Sequence, residues 1–150
     1  KSVHLVELKL MTGFLTIQMK NNLEQIICII KENLTTDLLS RSWINKNAKQ
    51  KMAGHCYHAS AVLQDFFPEL DLYRGIDEEG EYHWWCQKGD EIIDITAEQY
   101  TELGLTPPYQ DGEKQSRLGW SYKDKVKKLN ERCQNQIENN QTTIYSHENL

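Results

Sequence analysis

The segment Gly-His-Cys-Tyr-His-Ala-Ser at residues 54–60 sets a cysteine, Cys56, where a helix is expected to begin. Unpaired backbone N–H groups and the positive end of the helix dipole gather at such a start, and both favour thiolate over thiol. The thiolate is the nucleophilic form. Further along, Tyr82-His83-Trp84-Trp85-Cys86 reads as a strand, and Ile92-Ile93-Asp94-Ile95-Thr96 supplies a carboxylate. A thiol, an imidazole and a carboxylate are the parts of cysteine-dependent acyl chemistry. In that scheme Cys56 attacks a carbonyl and His83 accepts the thiol proton, later passing it to the leaving group. Asp94 fixes the imidazole tautomer. Gly54 has no side chain, so a substrate could approach the backbone there. The N–H of Cys56 is a candidate oxyanion donor.

Strand register tests whether the three can meet. With Gly89-Asp90 as a two-residue hairpin loop, Lys88 pairs with Glu91, Trp85 with Asp94 and His83 with Thr96. His83, Trp85, Ile92, Asp94 and Thr96 then share one face. His83 and Asp94 become diagonal neighbours with Cβ atoms ~7–8 Å apart, which their side chains can close. Trp84, Cys86, Ile93 and Ile95 form the other face, a coherent core set. A three-residue loop would instead turn Asp94 into the core without a partner.

The order of these residues carries a resemblance. Cysteine at a helix start, histidine on a strand and aspartate on the next resembles the plan of papain-like cysteine hydrolases, shared by transglutaminase-like proteins and arylamine acetyltransferases. Gly-His-Cys-Tyr-His-Ala-Ser, His-Trp-Trp and Ile-Asp-Ile-Thr-Ala-Glu-Gln-Tyr are similar to small bacterial and phage proteins of the YunG-like kind, over roughly residues 40–120. The resemblance implies an α+β fold, papain-like or transglutaminase-like, with a helix packed on a small antiparallel sheet. It implies Cys56, His83 and Asp94 as the catalytic set. In papain-like enzymes a glutamine six residues before the cysteine is a second oxyanion donor, and Gln50 has that spacing in a surrounding sequence that departs from the papain pattern. Asn47 and Trp43 are further candidates, with Trp85 and Tyr109 for the substrate wall. The substrate class is an acyl compound, small-molecule or peptide or protein: an amide, ester or thioester. No cofactor is expected. The runner-up is a non-catalytic binding module on the same fold, such as a phage or bacterial factor holding a small ligand or a host protein.

Blander readings compete at several positions. His58 lies about 200° around the helix from Cys56, at ~3.6 residues per turn, so neither it nor His55 is the expected base. A zinc site from His55, Cys56, His58, His83 and Cys86 has the right ligand types. Against it, Cys56 and His58 point apart on a helix, and His83 and Cys86 point to opposite sides of a strand. Asp77-Glu78-Glu79 reads as a solvated turn.

These residues need a scaffold, and the chain supplies one. Its 150 residues favour a single domain, and 39% hydrophobic with 26% charged residues is a globular composition. Net charge −5 disfavours nucleic acid as a partner. Lys123, Lys125, Lys127 and Lys128 read as a solvated helix face. No apolar run reaches the ~20 residues of a membrane span. The four cysteines form no disulfide framework, and a reducing, cytoplasmic setting is expected. Cys28, inside Ile-Ile-Cys-Ile-Ile, is expected to be a small core residue.

Helices are expected over about 20–33, 55–67 and 122–138, with short ones after Thr36-Asp37 and over 97–103. Strands are expected at 70–76, 81–87 and 91–96, with loops at 45–51 and 107–119, and residues 97–120 are expected to form one wall of the substrate cleft. Residues 1–18 are expected to be peripheral, with a strand pair turning at Gly13. The domain proper spans 19–138, and 139–150 reads as a polar tail.

Overall fold

The computed structural model describes residues 22–148. The expected strand pair at 2–19 lies outside them. Helix α1 covers residues 22–32. Its apolar positions Leu23, Ile26, Ile27 and Ile30 recur at helical spacing and pack on the core. Cys28 steps off that stripe and is exposed, which corrects the core placement expected for it. Two single turns, Thr36–Leu38 and Arg41–Trp43, lead into α2, Ile44–Lys49. The loop expected there is thus mostly helical.

Helix α3, Cys56–Phe66, is the centre of the molecule. Ala59, Val62 and Leu63 are fully buried along it. It packs on a four-stranded sheet of order β3-β2-β1-β4, in which every neighbouring pair is antiparallel. The strands are β1 Asp71–Ile76, β2 Tyr82–Lys88, β3 Glu91–Ile93 and β4 Glu113–Gln115. Leu72, Trp84 and Cys86 face α3. Ser60 Oγ donates to the Trp84 carbonyl at 3.3 Å, and the Cys86 thiol donates to the Ser60 carbonyl at 3.2 Å. These bonds bind α3 to β2, the strand that carries His83.

The β2–β3 pairs are Lys88 with Glu91, Gln87 with Ile92 and Cys86 with Ile93. This is the register of a two-residue Gly89-Asp90 loop, extrapolating to Trp85 opposite Asp94. The ladder stops at Ile93, and the chain turns through Thr96 into α4, Glu98–Thr101. Residues 96–112 then cover the sheet face opposite α3. Gly112 lets this segment settle: a Cβ there would lie 2.4 Å from Trp85 Cζ2.

Beyond it, β4 adds an edge strand to β1 where irregular chain was expected. Arg117 then donates to the Ala61 carbonyl at 2.7 Å, crossing back to α3. Helix α5, Lys123–Glu148, closes the core with Leu129 and Cys133. It continues through most of the stretch read as a tail. There Thr142 and Thr143 return their hydroxyl groups to the carbonyls of Glu138 and Asn139, so their polarity is met within the helix. Among the described residues no helix is long and apolar enough to cross a membrane.

Candidate active site

Cys56 is the first residue of α3 and is half-buried. Its own N–H and the next two have no acceptor inside the helix, so the helix start that carries the thiol has donors to spare. The approach to it is built by packing. Gly54 adopts φ +85°, and a Cβ there would lie 2.8 Å from both Leu39 Cδ2 and Trp43 Cβ. Its bareness therefore serves the turn and the contact with Leu39 and Trp43, rather than substrate approach. Asn47 is buried and gives its amide hydrogens to the carbonyls of Lys51 and Ala53, at 2.8 and 3.0 Å. It holds the loop before Cys56 and has no amide hydrogen left for an oxyanion.

His83 is fully buried, and its Nε2 lies 2.6 Å from Asp94 Oδ2. Asp94 accepts two further bonds, from Tyr109 Oη to Oδ2 at 2.7 Å and from the Thr96 backbone N–H to Oδ1 at 3.1 Å. The His83 ring is stacked on Trp85 at 5.8 Å between centroids and meets Tyr100 edge-on at 4.8 Å. Burial opposes a charge on this ring. Hydrogen bonds and charge from Asp94 and Cys56 outweigh it and push the His83 pKa up to about 9. Cys56 Sγ lies 4.0 Å from the carbonyl oxygen of Tyr82, the residue before His83 on β2, which brings the thiol alongside the histidine.

The secondary candidates sort by contact. Trp85 is fully buried beneath His83, with its ring against Tyr109 and its Nε1 on Gln87 Oε1. It supports the histidine and offers no open wall to a substrate. Tyr109 is committed to Asp94. Trp43 packs at Gly54 and carries Lys46 over its ring at 4.8 Å. Gln50 accepts from the N–H groups of Met52 and Ala53 and donates to Glu102 Oε2 at 2.9 Å. Sequence reasoning missed Gln99, whose Nε2 lies 3.1 Å from His83 Nδ1 and 3.0 Å from Thr96 Oγ1. No local spacing in the sequence marks it.

His55 and His58 form a separate pair, Nδ1 to Nε2 at 2.7 Å, both buried. Burial lowers the pKa of His55 to about 4 and that of His58 to about 3. Two neutral rings sharing one hydrogen bond suit a structural brace beneath Cys56. Among the described residues no group of three or more His, Cys, Asp and Glu side chains gathers as a metal site. A cavity of about 370 Å³ opens between the 49–52 loop and α4, bordered by Gln50, Met52, Glu98 and Glu102. A larger one, about 460 Å³, lies between α3 and α5 around Tyr57, Arg117 and Lys127, and no residue of the Cys56–His83–Asp94 group lines it.

The family model described as YunG protein matches residues 20–138 of the chain. No curated protein and no solved structure matches it.

Proposed function

The chain belongs to the YunG protein family, and we propose that it is a cysteine-dependent hydrolase or acyl transferase on a papain-like or transglutaminase-like α+β fold. The observation that carries this reading is the linked set of three: a half-buried thiol at a helix start, 4.0 Å from the backbone carbonyl that precedes His83, the imidazole of His83, and a buried carboxylate 2.6 Å from that ring's Nε2. Cys56 first gives up its proton to His83 Nδ1, and the sulfur then attacks the carbonyl carbon of an amide, ester or thioester. The N–H groups of the first turn of α3 face the developing oxyanion. Collapse of the tetrahedral intermediate expels the leaving group, which takes the proton from His83 and leaves the acyl group on sulfur. Water or an acceptor nucleophile then releases it by the same steps in reverse.

Asp94 keeps the ring oriented throughout and stabilises its charged form. Tyr109 and the Thr96 N–H in turn hold Asp94 in place. The substrate is a small-molecule or peptide or protein acyl donor. Four free cysteines suit a reducing, cytoplasmic setting.

The test is intact-protein mass spectrometry after exposure to a panel of aryl esters, thioesters and glutamine amides. The expected result is an acyl adduct on Cys56, absent in Cys56→Ala and slow to form in His83→Ala. Absence of an adduct from every member of the panel would favour a binding module on this scaffold.

A further inference from the structure

We propose that Arg74 selects the substrate: its guanidinium, held over the Tyr82 and Trp84 rings beside the start of α3, takes a carboxylate carried by the acyl donor. The inference rests on the cysteine-nucleophile reading and names a substrate class for that site. Arg74 stands opposite Trp84 across the β1–β2 ladder, two residues on from Leu72, so strand alternation puts it on the sheet face that α3 covers. Its Cζ lies 4.1 Å from the centroid of the Tyr82 ring and 5.3 Å from that of Trp84. Both of these residues also touch the start of α3. The Tyr82 carbonyl oxygen is 4.0 Å from Cys56 Sγ, and the Trp84 ring meets Tyr57, the residue after the thiol, edge-on at 4.9 Å.

The two rings hold the guanidinium by attraction between charge and aromatic face, and they leave its N–H edge for an acceptor. The fold supplies none among the described residues. Arg117 and Arg132 pair with Asp65 and Asp37. Glu113, the cross-strand neighbour of Arg74 on β4, makes no ion pair with it. Glu79 and Glu81 lie 3.9 and 3.6 Å from Lys46 instead. Arg74 is half-buried and Tyr82 exposed, so the guanidinium is open to an incoming group.

The planar fork of a guanidinium matches a carboxylate. One such cation among Glu79, Glu81 and Glu113 suits a single negative charge better than a phosphate dianion. The acyl donor is therefore an acid with a second, reacting carbonyl. Two sources share that chemistry: a half-amide, half-ester or half-thioester of a dicarboxylic acid, and a peptide attacked near its C-terminal carboxylate.

The experiment alkylates the full chain at pH 7 with N-iodoacetyl derivatives of glycine, β-alanine and 4-aminobutyrate, each set against its uncharged N-methylamide. N-iodoacetyl-alanylalanine and its amide represent the peptide end. Rates at each cysteine are read by peptide mass spectrometry. The acid-to-amide ratio at Cys56 cancels changes in thiol reactivity, so a purely structural role for Arg74 would leave it unmoved. In the parent the ratio should exceed that at the exposed Cys28 for at least one probe. It should fall about three- to tenfold in Arg74→Met, which keeps an unbranched stem over the rings and removes the charge; this is the range between an exposed ion pair and a charged hydrogen bond. Arg74→Lys, cationic without the planar fork, should lie between them. A preference confined to the alanylalanine pair assigns the peptide end, and one among the three shorter acids assigns the dicarboxylic donor. Equal ratios in parent and Arg74→Met, or a parent ratio at Cys56 no higher than at Cys28 for every probe, overturn the role of Arg74. The nucleophile still stands in that case if labelling of Cys56 depends on His83. Labelling of Cys56 no faster than Cys28 by every acid and amide overturns both.

Discussion

Acid should unfold this protein through the His55–His58 pair. Both rings are buried and share a 2.7 Å hydrogen bond, and burial lowers their pKa values to about 4 and about 3 from 6.5. A depressed histidine pKa means that the unfolded chain binds the proton more tightly. The stability each ring contributes is present above pH 6.5 and is lost as pH falls toward the folded value. Between pH 7 and pH 4.5 the loss is on the order of 2–3 kcal/mol per ring, or roughly 5 kcal/mol together. That is a large share of the about 5–15 kcal/mol typical of a domain. Other shifted groups leave this window clear. His83, raised to about 9, contributes stability that is lost as pH rises through 9 and is fully present below 6.5. Asp37, held down by Arg132 and Lys128, loses its contribution only below its ordinary value of 3.8. The assay is urea unfolding at pH 7, 5.5 and 4.5, followed by fluorescence of the buried Trp84 and Trp85. His58→Gln keeps a hydrogen-bonding side chain against His55 and should remove about half of the pH dependence. A parent midpoint that stays flat from pH 6.5 to 4.5 would refute the reasoning.

Other outcomes follow from single contacts. Tyr109→Phe removes the donor on Asp94 while keeping the ring against Trp85. It should cost about 1–2 kcal/mol in urea unfolding and, by leaving more charge on Asp94, move the His83 titration upward in NMR. Gly112→Ala puts a methyl group 2.4 Å from Trp85 Cζ2 and should cost about 1–3 kcal/mol in thermal melts. Among the thiols, Cys28 and Cys56 should alkylate in the native state. Cys86 and Cys133, buried and pushed up to about 12 and about 11, should label only after unfolding, as read by peptide mass spectrometry.

The hairpin was legible because two signals agreed. Gly89-Asp90 limits the loop length, and the period-two alternation of Trp84, Cys86, Ile93 and Ile95 chooses one register. Helix α3 was legible from Ala59, Val62 and Leu63 ending at Pro68. Cys28 misled because the isoleucines around it mask the helical period: it falls one step off the stripe through Ile27 and Ile30. Strand β4, Glu-Lys-Gln, has no apolar alternation to announce it and is held by backbone pairing at an edge. In α2, Asn47 is a buried polar residue whose partners are loop carbonyls, so its burial could not be read from its type. Gln99 and Tyr109 reach His83 and Asp94 only because 96–112 folds over the sheet, and no local spacing encodes that layering.

The central claim is that His83 governs the reactivity of Cys56. The direct measurement is the pH dependence of the Cys56 alkylation rate in the parent, His83→Ala, His55→Ala and His58→Ala, each checked for folding. His83→Ala should slow alkylation at pH 7 by about tenfold or more, with the gap closing above about pH 9, where the parent imidazolium itself is lost. The other two variants should stay close to the parent at pH 7. A His83→Ala profile that overlays the parent, or a larger effect from His58→Ala, would contradict the account.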